Sequence, residues 1–179
     1  MPTYVAFLRA VNVRPRWVKM ETLRILLSSN GFSDVETYIQ SGNVRVTTPM
    51  RSAAKVKATL EEIIEAEFGF PVPCILRTPA ELSQILHLVD TLPDPLPGGA
   101  TRQYVTLYDA PPTDEHTQRQ VQWDVPGERL YPHGRETYWW LAKSTHEAKV
   151  SNAVLERGGN VATTRDLKVM RTLAATWGA

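Results

Sequence analysis

The chain has one cysteine, Cys74, among its 179 residues, which excludes an internal disulfide framework and a zinc site of the all-cysteine kind. No apolar run approaches the roughly 20 residues of a membrane span, so no membrane partner is expected. The histidines, His87, His116, His133 and His146, have no paired metal-ligand spacing. A phosphate-cradling glycine loop, a dinucleotide fingerprint and a nucleophile elbow are all missing. Neither a metal nor a cofactor is therefore expected. Met1-Pro2-Thr3-Tyr4 runs straight into an apolar stretch with no basic segment or small-residue cleavage site. No signal peptide is read from it, and a reducing, cytoplasmic setting is the expectation.

What is present is ordinary in bulk and uneven in detail. With 42% apolar and 22% charged residues the composition is that of a soluble globular protein. The net charge of +1 excludes a global attraction to nucleic acid. Yet Arg9, Arg14, Arg16, Lys19 and Arg24 fall close together with only Glu21 against them, while Asp90, Asp94, Asp109, Asp114 and Glu115 load the middle. That distribution allows a local basic patch.

Periodicity predicts the element order. Residues 3–9 read as a buried strand, and Met20, Leu23, Leu26 and Leu27 share one helical face that Gly31 stops. Residues 35–48 form two short strands around Gln40-Ser41-Gly42-Asn43. Ser52 caps a helix with a stripe of Val56, Leu60, Ile63, Ile64 and Phe68, and Pro71–Arg77 returns to strand. Thr78-Pro79-Ala80-Glu81 is a capping box. The pattern then repeats: a strand over residues 102–110, a polar helix near 113–122, a hairpin around Pro132-His133-Gly134-Arg135, and a helix opened by Ser144-Thr145-His146-Glu147. A short strand near Val161 and a final helix capped by Thr163 with Asp166 complete it. The predicted fold is α+β, two tandem ferredoxin-like β-α-β-β-α-β halves plus a C-terminal helix. The halves are placed at residues 1–90 and 102–179, joined by a Pro- and Gly-dense linker over 91–101.

The blocks "FLRAVNV", "LSSNGFSDVETYIQSGNV", "GRETYWWLA" and "KVSNAVLERGGNVATTRD" resemble successive segments of the bacterial domain-of-unknown-function family 1697, over nearly the whole chain. The resemblance implies an α/β fold of ferredoxin-like type and carries no settled activity. This chain departs from the family pattern in three places. Arg9-Ala10-Val11-Asn12-Val13-Arg14-Pro15 stands where Arg-Gly-Ile-Asn-Val-Gly-Gly is usual, which stiffens the loop and makes it more basic. Arg165-Asp166-Leu167 replaces Arg-Asn-Trp, and Ala148-Lys149-Val150 replaces Ser-Lys-Leu. A family site that used the missing Asn or Trp would be altered here.

Candidate sites follow, each beside a plainer reading. Arg9, Arg14, Arg16 and Lys19, with Asn12 and Trp17, would grip phosphates while the indole stacks; alternatively they are a solvated loop paired with nearby carboxylates. In Gln40-Ser41-Gly42-Asn43 the glycine, serine and asparagine suit a tight turn, whereas Gln40 has no evident turn role. Thr163-Thr164 at a helix start, with Arg165, Lys149 and Asn152 nearby, would bind an anion or merely cap the helix. Tyr138 and Trp140 on one face of "ETYWWL" would form a stacking platform or pack in a core.

Three readings of function remain open. The first is a non-enzymatic binding protein for an anionic partner, a nucleic acid or a phosphorylated small molecule. The nucleic-acid residues would be Arg14, Arg16, Trp17 and Lys19, and the ligand residues Arg9, Asn12, Gln40, Ser41, Asn43, Lys149, Thr164 and Arg165. The second is a small-molecule enzyme with a polar site between the halves, Lys149 being its acid–base or nucleophilic group. The third is a dimeric interaction or scaffold module.

Overall fold

The structure, a computed structural model, describes residues 1–179. Strand β1 (Thr3–Leu8) is buried at every position from Tyr4 to Leu8. A strand covered on both faces reads as a continuous apolar run, and "YVAFL" is one. The chain continues through α1 (Met20–Ser29), β2 (Ser33–Tyr38), β3 (Asn43–Thr47), α2 (Ala53–Phe68), β4 (Cys74–Arg77) and α3 (Pro79–Thr91). The second series is β5 (Arg102–Tyr108), α4 (Asp114–Val121), β6 (Glu128–His133), β7 (Glu136–Leu141), α5 (Asn152–Leu155), β8 (Ala162–Asp166) and α6 (Leu167–Trp177). The fold is thus mixed α+β, with two four-stranded antiparallel sheets in the orders β2-β3-β1-β4 and β6-β7-β5-β8, and six helices. None of the helices is long and apolar enough to cross a membrane.

The chain divides into two compact units: Met1–Ser83 with Thr176–Ala179, and Gln84–Ala175. In the first, Met20, Leu23 and Leu27 of α1 and Val56, Leu60 and Ile64 of α2 pack on the sheet face made by Tyr4, Ala6, Leu8, Val44, Val46, Cys74 and Leu76. Each fully buried leucine or isoleucine there contributes roughly 1.5–3 kcal/mol. Ser52 caps α2, its side chain accepting the Lys55 N–H, and Gly69 ends the helix at φ +82°. In the second unit, Tyr108, Trp139, Leu141, Val150, Leu155 and Ala162 form the helix-side core. The Pro- and Gly-dense stretch after α3 lies inside this unit and is held by Asp94, which accepts the N–H groups of Leu96 (2.9 Å) and Ala100 (2.6 Å).

Two predicted helix starts are corrected. Thr163 and Thr164 do not cap α6. They lie in β8, where Thr163 faces Leu107 and Thr164 faces Thr106 across the ladder. The cap is Asp166 itself, whose Oδ1 accepts the Lys168 N–H at 2.7 Å. Ladder pairing with β5 and the β-branched pair keep residues 163–165 extended. Ser144 and Glu147 do bond to each other, Ser144 Oγ donating to Glu147 Oε2 at 2.9 Å, but the turn stops there. The N–H groups of Lys149 and Val150 are drawn instead to the carboxylate of Glu128, and α5 restarts at Ser151, which accepts the Val154 N–H. Lys149 and Asn152 therefore do not share a helix face.

Candidate functional site

The basic loop, residues 9–19, and the β2–β3 turn are built as one structure. The Leu8 N–H donates to the Gly42 carbonyl at 2.8 Å, and the Arg9 N–H to the Pro73 carbonyl at 3.0 Å. Asn12 fastens the loop to the turn: its Nδ2 donates to the Gln40 backbone carbonyl and lies 3.4 Å from Gln40 Oε1. The same amide accepts the Val18 N–H at 2.9 Å. Beyond Asn12 the chain reverses sharply, the Arg16 N–H donating to the Val13 carbonyl and the Asn12 N–H to the Arg16 carbonyl, both at 2.7 Å. Gly42 has no substitute, since its φ is +87° and an added Cβ would lie 2.8 Å from both Leu8 Cβ and Val11 Cγ2. Asn43 is fully buried and donates to the Tyr38 carbonyl at 2.8 Å, closing the turn from inside.

Backbone strain gathers here. Of the non-glycine residues with positive φ, namely Ala10 (57°), Asn12 (56°), Asp34 (49°) and Ile39 (52°), only Asp34 lies outside these two loops. A β-branched residue in the left-handed region is costly, and Ile39 is also 45% exposed. Strain held in an exposed, braced loop is a mark of a functional surface.

The structure separates the predicted residues by what they do. Asn12 and Asn43 are consumed by the scaffold. Gln40 is exposed, and its backbone carbonyl is what anchors Asn12. Arg14 and Lys19 are exposed, Arg16 is half-buried, and Trp17 is 58% exposed. None of Arg14, Arg16 and Lys19 pairs with a carboxylate, so the solvated-pair reading does not hold for those three cations.

In the second unit, Thr164 belongs to a chain of hydrogen bonds inside the fold. Trp139 Nε1 donates to Thr106 Oγ1 (2.9 Å), the Thr106 and Thr164 hydroxyls lie 2.7 Å apart, and Thr164 donates to Asn152 Oδ1 (2.9 Å). Arg165 is 5% exposed and donates to Thr163 Oγ1 (2.7 Å) and the Thr164 carbonyl (3.0 Å); burial pushes its guanidinium down to about 10. It remains charged at neutral pH. Lys149 is exposed, and its backbone N–H, not its ammonium, does the structural work, donating to Glu128 Oε2 at 2.8 Å. Tyr138 and Trp140, the imagined platform, are 1% and 4% exposed, hence packed.

Glu128 is the residue that pattern reading missed. Fully buried, it accepts the N–H groups of Lys149 and Val150, the Trp123 indole N–H (3.3 Å) and the Lys143 ammonium (3.2 Å). Burial alone would raise its carboxyl, but the two backbone donors and Lys143 outweigh it and hold it below the usual carboxylate range. In sequence it is one glutamate at the start of a strand, and nothing marks it.

The chain belongs to the family described as "Protein of unknown function (DUF1697)", which matches residues 1–138. Among solved structures it is similar to the conserved bacterial protein SP0830 from Streptococcus pneumoniae, at 22% identity and a TM-score of 0.74, covering 99% of this chain and 98% of that one. No curated protein matches the chain. At that identity the likeness speaks to the fold.

Proposed function

We propose that this protein is a non-enzymatic binding protein for an anionic partner, and that the partner at its basic loop is single-stranded nucleic acid. One observation carries the reading: Arg14, Arg16 and Lys19 pair with no carboxylate and flank the exposed Trp17 in sequence, on a loop whose backbone is fixed by Asn12 and Gly42. Uncompensated cations attract phosphates and an exposed indole stacks on any base, which together give sequence-tolerant binding. A loop already ordered loses little entropy on binding.

We also read each half as ferredoxin-like, over residues 1–90 and 102–179, with 91–101 between them. The repeated β-α-β-β-α-β series and the equivalent strand orders support this. In RNA-binding domains of that type the bases stack on the open face of the sheet. Here Val5, Phe7, Tyr138 and Trp140 are buried, so the loop takes the place of the sheet face.

The test is fluorescence anisotropy of a labelled single-stranded oligonucleotide, RNA and DNA in turn, at low salt. The wild type binds; R14A/R16A/K19A binds at least about a hundredfold more weakly, and W17A about tenfold or more. No binding by the wild type at low salt sinks the proposal.

A further inference from the structure

A second cationic surface lies in the other unit, at the end of its sheet where β5 begins and β7 and β8 finish. A cleft of about 650 Å³ opens there, lined by Arg102 at the start of β5, Lys143 after β7, and Lys168 and Arg171 on α6. Clefts of this size suit small molecules. Two carboxylates also line it, and both are committed to the backbone. Asp94 accepts the Leu96 and Ala100 N–H groups with its two oxygens, and Asp166 Oδ1 accepts the Lys168 N–H. Lys143 donates to buried Glu128, and Arg171 to the exposed Asp90 at 2.8 Å, a solvent-facing pair that exchanges easily. Arg102 and Lys168 are exposed and pair with no carboxylate. Because Asp166 already caps α6, the attraction comes from side chains that converge from separate segments and not from the helix end.

We infer that this cleft binds a small sugar phosphate. The phosphate sits between Arg102 and Lys168, with Arg171 able to turn from Asp90 to join them. Several donors around one multi-oxygen dianion match phosphate better than a single carboxylate. Asp166 Oδ2, which accepts no bond within the protein, is placed to take a sugar hydroxyl. The cleft shares no residue with the basic loop, and the inference does not rest on the reading of that loop.

The experiment is a titration of the ¹⁵N-labelled full chain with ribose 5-phosphate and, separately, with inorganic phosphate, followed by amide shifts. Saturable shifts are expected at residues 102–103, 143–144, 167–168 and 171, with ribose 5-phosphate the tighter of the two. R102A/K168A, two exposed positions, should weaken ribose 5-phosphate by roughly tenfold or more. R14A/R16A/K19A should leave it unchanged, which separates this site from the basic loop. Absence of saturable shifts at these amides, equal affinity in R102A/K168A, or a response to inorganic phosphate but none to ribose 5-phosphate would each overturn the inference.

Discussion

The two units repeat one element series but elaborate opposite ends of it. In the first, the long loop of residues 9–19 follows β1, and the β2–β3 turn beside it is braced by Asn12 and wrapped around Gly42. The corresponding places in the second are plain: β5 passes to α4 through residues 109–113, and His133 and Glu136 face each other across Gly134-Arg135. At the other end the contrast reverses. Residues 48–52 suffice to join β3 to α2, whereas β7 reaches α5 through residues 142–151, pinned by Glu128 and bordering the cationic cleft. The same topology therefore offers two loop ends, and each unit has spent its irregular backbone on a different one. Irregular, well-fastened loops on a regular frame are where binding residues gather.

Breaking the fastening of either end should show which one carries more of the structure. The largest effect is expected in the second unit. Glu128→Ala leaves two backbone N–H groups and Lys143 without their acceptor in a buried place, so urea unfolding should show a loss of roughly 3 kcal/mol or more. The same carboxylate gives a pH signature. Its folded value is depressed, so its contribution is full above the ordinary glutamate value of 4.5 and is lost as the pH falls through the lower folded value. Thermal melts across that acidic range should flatten in Glu128→Gln relative to the wild type.

Next comes the pair of turns. Gly42→Ala meets both a positive φ and two carbons at 2.8 Å, and should cost roughly 2–3 kcal/mol; Gly134→Ala, at φ +59° with nothing within 4 Å, should cost about 1 kcal/mol or less. Equal losses in unfolding experiments would erase the distinction between the braced turn and the plain one. Asn12→Ala should cost about 1–2 kcal/mol and weaken oligonucleotide binding while every cation is retained, because it releases the loop from the turn. The smallest effect has the opposite sign. Ala10 sits at φ +57°, where the family pattern has glycine, so Ala10→Gly should stabilise by about 0.5 kcal/mol.

Much of this frame is legible in periodicity. The apolar run of β1, the stripe of α2 with Ser52 and Gly69 at its ends, and the β6–β7 hairpin all follow from local pattern, because local geometry decides them. The failures share one cause, competition from distant parts of the chain. Ser144 to Glu147 has the composition of a helix start, but Glu128 takes the N–H groups that would have continued it. Thr163 resembles a cap until β5 claims it. The ladder register of the structure supplies the equivalence that the sequence lacks. Val5 faces Arg77 in one sheet and Val105 faces Arg165 in the other, so Thr78, the true cap of α3, corresponds to Asp166. Aligning the two halves residue by residue places the cap of α6 correctly. For the site, the basic loop is visible as a charge cluster, and the structure adds that Arg14, Arg16 and Lys19 pair with no carboxylate and that Asn12 and Asn43 are used by the scaffold. Only part of the cleft is visible in sequence: Lys168 and Arg171 share a basic stripe at helical spacing, whereas Arg102 and Lys143 join them only through the pairing of β5 with β7 and β8.

The central claim, that the unpaired cations of the first unit's loop bind a polyanion, is tested most directly by the salt dependence of oligonucleotide affinity. Three phosphate contacts on a single strand give a slope of log K against log salt of about −2, and R14A/R16A/K19A should bring it close to zero. A triple variant that keeps both the wild-type affinity and the wild-type slope would contradict it.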